Sequence, residues 1–402
     1  MIKKFLLLSF IASQLMVSCS SDDNPTTDPT TEQSLEEQIA DLVKKPYSSL
    51  TPSQQKTKLE AEANEMLTQL DKTKSSGAIE AIENLLRLFS ESHVDVFNGK
   101  SYNGVEEVLN ISDVYGIYTW NSSQKTWTKT ASSSDLKFIF PAKKGQTTNN
   151  AILSSKSTSS DVKISNIDTY GRWGWNTTTQ NYEQIEPNLN DWFYLPTSVD
   201  AILTIDNTQA ATFTQTAKYS NGKTVPNEFA YKMTLNDGYV WEMSGTKASP
   251  NNSKASLTFN GKNLISFNAD SNTEIDKLMD NDELVQYRGK ANGLFTLMDN
   301  FVIVADMDLA ELAKGETAVE TNFPRPDRNT KTFYTDLNLY NQKSAEAGVL
   351  NSNKNLKLIL VSKKDGTKIA DIVYRSELGY SFKSSEYETW VVDAANTKYG
   401  GS

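Results

Sequence analysis

The sequence predicts an α+β fold, with a helical N-terminal segment ahead of a mainly antiparallel β body built of hairpins. Three observations predict it. Apolar residues recur at helical spacing between Leu35 and Phe89. Beyond about residue 93, Asn-Gly and Asp-Gly dipeptides sit between short apolar runs, which marks tight hairpins. The pattern Tyr-Gly-x-aromatic-x-Trp-Asn is written twice, as YGIYTWN from Tyr115 and as YGRWGWN from Tyr170. Hairpins pair strands that are neighbours in sequence, and such pairs are antiparallel.

The helical segment spans 35–92. Ser34 and Glu37 form a capping box, and Leu35, Ile39, Leu42 and Val43 follow on one face. Pro46 ends that helix. Thr51, Pro52 and Gln54 are a second start, with Leu59, Ala63, Met66, Leu67 and Leu70 as the stripe. Gly77 breaks it, and Ile79, Ile82, Leu85, Leu86 and Phe89 make a third stripe. The pattern is a helical hairpin whose apolar stripes pack into a core.

The β body divides at 93–210 and 211–402. Asn-Gly occurs at 98, 103, 221, 260 and 292, and Asp-Gly at 237 and 365. A turn at Asn260-Gly261 sets Leu257 opposite Leu264. In YKMTLNDGYVWEM (231–243), a two-residue turn would oppose Met233 to Glu242. A three-residue turn, Asn236-Asp237-Gly238, opposes Leu235 to Tyr239 and Met233 to Trp241. It puts the apolar side chains on one face and is preferred. The run 356–374 is a further hairpin. Short helices are expected over 306–314, ending at Gly315, and over 336–347, ending at Gly348; between them 322–329 is a loop with two prolines.

The repeat aligns 115–141 with 170–196 without a gap. Gly116/Gly171, Trp120/Trp175, Asn121/Asn176, Phe138/Phe193 and Pro141/Pro196 coincide, and Trp127 meets Tyr182. Each copy reads as a strand, a polar turn, a strand, a polar loop, and a strand that stops at proline. Side chains alternate along a strand, so Gly116, Tyr118 and Trp120 share one face, as do Gly171, Trp173 and Trp175. A glycine beside two aromatics leaves room for a ring to lie over the backbone. Two readings stay open. The aromatic face is buried in a duplicated hairpin unit, or Tyr118, Trp120, Trp173 and Trp175 form an exposed platform that stacks on a ligand such as a glycan. Two copies are too few for a propeller or solenoid.

The N-terminus, MIKKFLLLSFIASQLMVSC, carries Lys3 and Lys4 ahead of an apolar run too short to span a bilayer. Cys19 is the chain's one cysteine. Leu15-Met16-Val17-Ser18-Cys19 resembles the lipobox of bacterial lipoproteins, with Met16 where leucine is commoner. Ser20-Ser21-Asp22-Asp23-Asn24 resembles the acidic tag that sends Bacteroidetes-type lipoproteins to the outer face of the outer membrane. The resemblance covers about twenty residues and implies that 1–18 is a signal peptide. It also implies that Cys19 is acylated, palmitate being the expected class of chain, and that the bilayer is a partner. Residues 19–34 then form a polar tether with two prolines. One acyl chain binds reversibly, and two or three hold firmly.

The formal charge is −10, and removal of the leader with its two lysines deepens it. Such a chain is repelled by phosphate backbones, which argues against nucleic-acid binding. With one cysteine, no disulfide forms. His93 is the one histidine, so no Cys/His zinc site is available, and a serine triad would depend on it. Neither a P-loop nor G-x-S-x-G is present. Asp270-Ser271-Asn272-Thr273-Glu274 begins like a calcium loop but has Ile275 where glycine is required. No residue pattern asks for a cofactor. Carboxylates cluster at 280–283 and at Asp299, Asp306 and Asp308, without the spacing of a catalytic pair. The expectation is a non-enzymatic, lipid-anchored surface lipoprotein that binds or scaffolds, with a glycan or an envelope protein as its partner. A periplasm-facing lipid carrier shaped as a half-barrel and a carboxylate-based glycan hydrolase are the alternatives.

Overall fold

The structure is a computed structural model that describes residues 34–92, 112, 114–169, 171–220, 222–248, 250–280 and 288–375. Cys19, His93, Tyr170, the carboxylates at 281–283 and the Asn-Gly pairs at 98 and 103 lie outside these residues. The chain runs α1 (Leu35–Val43), α2 (Pro52–Asp71), a 3-10 turn (Lys72–Ser75) and α3 (Gly77–Ser92). Then come β1 (Gly116–Asn121), β2 (Thr126–Thr130), β3 (Leu136–Phe140), β4 (Ala151–Thr169), β5 (Trp173–Asn176), β6 (Asn181–Gln184), β7 (Leu189–Ile205) and β8 (Thr208–Lys218). They are followed by β9 (Glu228–Leu235), β10 (Tyr239–Thr246), β11 (Asn251–Phe259), β12 (Lys262–Ser271), α4 (Ile275–Asp280), β13 (Lys290–Leu297) and β14 (Phe301–Asp308). Helices α5 (Leu309–Asn322) and α6 (Phe333–Asn355) precede β15 (Leu356–Ser362) and β16 (Thr367–Ile372). The body is α+β with a mainly antiparallel sheet.

Two compact units share the chain. Of the described residues, the first holds those within 51–268 and 296–299; the second holds those within 34–50, 269–295 and 300–375. In the first, the strand order is β2-β1-β3-β4-β7-β8-β9. In it β1 and β3 pair in parallel, and β1–β2, β3–β4, β4–β7, β7–β8 and β8–β9 pair antiparallel. Helices α2 and α3 start as the sequence asks. The Thr51 hydroxyl accepts from the Gln54 amide, Gln54 Oε1 accepts from the Thr51 amide, and Pro52 sits at the first helical position. Helix α3 buries Ala78, Ala81, Leu85, Leu88 and Phe89 in the main core, with Tyr118, Trp120, Trp127, Phe138 and Leu203. Each large apolar side chain so buried contributes about 1.5–3 kcal/mol. A hydrogen bond ties each helix to the strands' side: for α3, Asn84 Nδ2 donates to the Pro141 carbonyl at 2.6 Å, and for α2, the Tyr239 hydroxyl donates to the Gln69 carbonyl.

The turns follow their dipeptides in most places. Asn260 and Gly261 both have positive φ, 49° and 76°, as a two-residue hairpin requires. Three residues, Asn236-Asp237-Gly238, separate β9 from β10, as the preferred turn requires. Met233, Leu235, Tyr239 and Met243 are buried, and Lys232 meets Glu242 at 2.5 Å. One expected turn is absent: Asn292-Gly293 lies inside β13, where Asn292 Nδ2 donates to Asp270 Oδ1. A side-chain partner across the sheet outweighs the local turn preference there. One turn was not expected. Asp206 and Asn207, φ 51° and 62°, join β7 to β8. Short polar side chains tolerate that conformation without a glycine.

The second unit holds the strand run β13-β14-β15-β16, part of a seven-stranded sheet in the order β10-β11-β12-β13-β14-β15-β16, and α1 sets Ile39 against Leu294, Val302, Val304 and Val361. Both expected short helices are longer than expected. α5 runs through Gly315 and α6 through Gly348. Gly315 is a contact rather than a stop: a Cβ there would strike the Asn351 side chain, whose Nδ2 donates to the Leu312 carbonyl. A Cβ at Gly348 would meet open space. Asp308 caps α5 by accepting from the Glu311 amide at 3.0 Å.

Candidate functional site

β4 and β7 outrun their neighbours. β3 pairs with β4 only over Ala151–Ser155, and β8 pairs with β7 only over Ser198–Ile205. Beyond that, Lys163–Thr169 runs against Leu189–Tyr194 as an arm, with Ser112 bridged to Tyr194 at its base. The register shifts between Thr158 and Lys163. That bulge lets β7 continue past Pro196, where the sequence reading stopped it; proline is tolerated in a strand at a bulge. Ile164 and Phe193, opposite each other, pack against the main core. Lys163, Trp192 and Tyr194 take the other face, with Lys163 Nζ 5.4 Å from the Trp192 ring and 5.8 Å from the Tyr194 ring.

At the end of the arm β5 and β6 form a separate two-stranded sheet. Its register is Trp173↔Gln184, Gly174↔Glu183, Trp175↔Tyr182 and Asn176↔Asn181. The β1–β2 hairpin pairs Tyr118↔Lys129, Thr119↔Thr128, Trp120↔Trp127 and Asn121↔Thr126. Adding 55 to each residue of this set gives the β5–β6 pairs. The turns also agree. Asn121 Oδ1 accepts from the Ser123 and Gln124 amides, and Asn176 Oδ1 from the Thr178 and Thr179 amides. Lys125 and Gln180 follow with φ of 52° and 54°. The third strands differ: β3 lies parallel beside β1, with Phe138 stacked on Tyr118 at 5.1 Å, whereas β7 pairs with β4.

The two aromatic faces meet different fates. Tyr118, Trp120 and Trp127 are 1%, 6% and 9% exposed; Trp173, Trp175 and Tyr182 are 61%, 57% and 68% exposed. Burial removes Tyr118 and Trp120 as ligand contacts, which corrects their inclusion in an exposed platform. The cause is α3. Phe89 stacks on Trp127 at 5.3 Å and meets Phe138 edge-on at 5.0 Å. Gly116 gives the close approach the sequence suggests, since a Cβ there would stand 2.8 Å from the Tyr118 ring. Gly171 serves another purpose, letting the Glu186–Pro187 backbone come close.

Polar contacts hold the β5–β6 hairpin together and leave its rings free. Arg172 donates to Glu186 Oε1 at 2.8 and 3.0 Å. Asn188 Oδ1 accepts from the Gly171 amide and from Gln184 Nε2. Glu183 accepts from Thr179 at 2.5 Å and from Asn176 Nδ2 at 2.8 Å, and these two bonds hold its carboxyl below the ordinary value of 4.5. The sequence marked Trp173 and Trp175. It missed Tyr182, Trp192 and Tyr194, although the alternation of WFY within 192–194 was a readable signal.

Two of the acidic residues have structural partners. Asp270 accepts from Asn292, the Asn272 side chain accepts from the Lys290 amide, and Asp308 is a helix cap. Among the described residues, no group of three potential metal ligands comes together. A shallow hollow beside β1 and β2 is lined by Thr119, Asn121, Ser122, Thr128, Thr147 and the edge of Trp120. Hydroxyls and amides of this kind do not suit an acyl chain. Among the described residues, no helix is long and apolar enough to cross a membrane. Comparison with known proteins found no matching family, no matching curated protein and no matching solved structure.

Proposed function

We propose that this chain is a non-enzymatic lipoprotein of the bacterial outer membrane, held by acyl chains on Cys19 and turned toward the cell surface, that binds or scaffolds through its β4–β7 arm. The two hairpins are copies of one unit, one taken into the core and one left for a partner. A single observation carries the binding assignment. Matching hairpins in matching register differ in exposure, and only the one on the arm presents its rings to solvent. Exposed large aromatics grouped on a single element mark interaction sites more than scattered ones do. The polar run Ser20–Gln33 supports the anchored arrangement, because a chain without apolar residues there spaces the body from the bilayer.

Acrylamide quenching of tryptophan emission tests the assignment. Trp173, Trp175 and Trp192 should quench readily in the purified protein and be shielded in the native envelope. Equal quenching in both settings would refute a contact at the arm.

A further inference from the structure

The covered hairpin shows what fits this aromatic face. In the core copy the occupant is an amphipathic helix. α3 lays Leu85, Leu88 and Phe89 into the same cluster as Tyr118, Trp120 and Trp127, and Phe89 stacks on Trp127 with planes 25° apart. The exposed copy keeps the ring arrangement that receives that phenylalanine. Trp120 and Trp127 stand 5.4 Å apart at 67°; Trp175 and Tyr182 stand 6.1 Å apart at 59°.

We infer that the β5–β6 hairpin docks an amphipathic helix of a partner protein, whose aromatic side chain seats on Tyr182 as Phe89 seats on Trp127. This rests on the binding role proposed for the arm and names its ligand class. Helix-in-groove recognition uses apolar anchors at i, i+3, i+4 and i+7, the spacing of Ala78, Ala81, Ile82 and Leu85 on α3. The charges around the exposed face are already satisfied. Arg172 is paired with Glu186, and Glu183 is bonded to Thr179 and Asn176. The result is a neutral aromatic centre with a polar rim, as in protein–protein interfaces. A glycan fits less well. Stacking along a sugar chain wants rings presented side by side in one plane, and Trp175 and Tyr182 are tilted 59° to each other. The tilt makes a notch suited to a knob. The core copy has one anchor that the exposed copy lacks: the Asn84 bond to the Pro141 carbonyl. In the exposed copy, among the described residues, no third strand lies beside β5, because β7 pairs with β4.

The test uses the full chain in detergent and, as probe, the helix sequence of residues 77–92. Sixteen residues alone form helix marginally, so the probe is closed by a lactam bridge on its outward face. Calorimetric titration should show saturable binding. Tyr182→Ser or Trp175→Ser in the protein, or Phe89→Ala in the probe, should each weaken it at least about tenfold, with melting temperature unchanged. Ile202→Ser, exposed on β7 away from the arm, should bind normally. Soluble polysaccharides in an affinity gel should not retard the chain. Absence of probe binding, or binding indifferent to Tyr182→Ser, overturns the inference. Polysaccharide retardation lost in Tyr182→Ser overturns it in favour of a glycan. If the probe fails while the envelope still shields the tryptophans, the helix is wrong and the arm's binding role stands; if both fail, both fall.

Discussion

Phe89 of α3 lies stacked on Trp127 of β2 at 5.3 Å, whereas Tyr182, the residue in the matching position of the second hairpin, is 68% exposed. Substitutions should separate the two sites sharply. Phe89→Ala should cost about 3–5 kcal/mol, the usual range for emptying a buried aromatic site. Tyr182→Ser should change stability by no more than about 0.5 kcal/mol, as at other exposed positions. Urea denaturation with an unchanged m-value reads both. A comparable loss at Tyr182 would mean that the second face is packed as well.

The turn residues give opposite signs. Gln180 sits at φ 54° without the freedom of glycine. Gln180→Gly should stabilise the β5–β6 hairpin by about 0.5–1 kcal/mol. Asn176→Ala removes the acceptor for two turn amides and the donor to Glu183, and should cost about 1 kcal/mol or more. Because the hairpin is a small sheet of its own, local amide exchange should register these changes, while the global melt stays in place.

Acid should loosen the same hairpin. Hydrogen bonds from Thr179 and Asn176 depress the Glu183 carboxyl in the folded state. Between its folded value and the ordinary 4.5, the opened hairpin binds more protons than the closed one. Stability from this group is therefore present above 4.5 and is lost as pH falls through the depressed value. Protection of the Asn176–Asn181 turn amides, measured against the free-chain exchange rate at each pH, should fall in that window. Glu183→Gln should remove the pH dependence, and a flat profile in the unsubstituted protein would contradict the assignment.

Gly315→Ala offers a test in the second unit. Alanine is the better helix former by about 0.8–1 kcal/mol. Here its Cβ would strike the Asn351 side chain and displace the bond to the Leu312 carbonyl. The net effect should be a lower melting temperature, with about 1–3 kcal/mol lost to overpacking. A higher melting temperature would show that Asn351 yields freely.

These cases also show what was legible in the sequence. Helix starts were, because caps are local: Ser34 with Glu37 and Thr51 with Gln54 are bonded as read. The three-residue turn before Tyr239 was, because two-residue alternation singles out one register. The helix ends at Gly315 and Gly348 were not. A glycine that admits Asn351 looks, in one dimension, like a glycine that stops a helix. Asn292-Gly293 misled for the same reason, since Asp270 is distant in sequence. The repeat announced two equal hairpins, and their registers and turns do match. Their burial depends on where α3 packs, which neither motif encodes. The aromatic pattern therefore marked Trp120 and Trp175 alike, and tertiary packing alone tells them apart.

The anchor has its own check. Mass spectrometry of envelope-derived protein should place the mature start at Cys19 with acyl chains on the residue, and Cys19→Ala should release the chain from the membrane fraction. A mature protein beginning elsewhere without lipid would rule out the anchor.

The most direct measurement of the arm as a contact surface is photo-crosslinking in the living cell from benzoylphenylalanine placed at Tyr182, with the same probe at exposed Ile202 as control. The account predicts a discrete, protease-sensitive adduct from position 182 that position 202 does not give. Identical patterns from both positions, or no adduct from position 182, would contradict it.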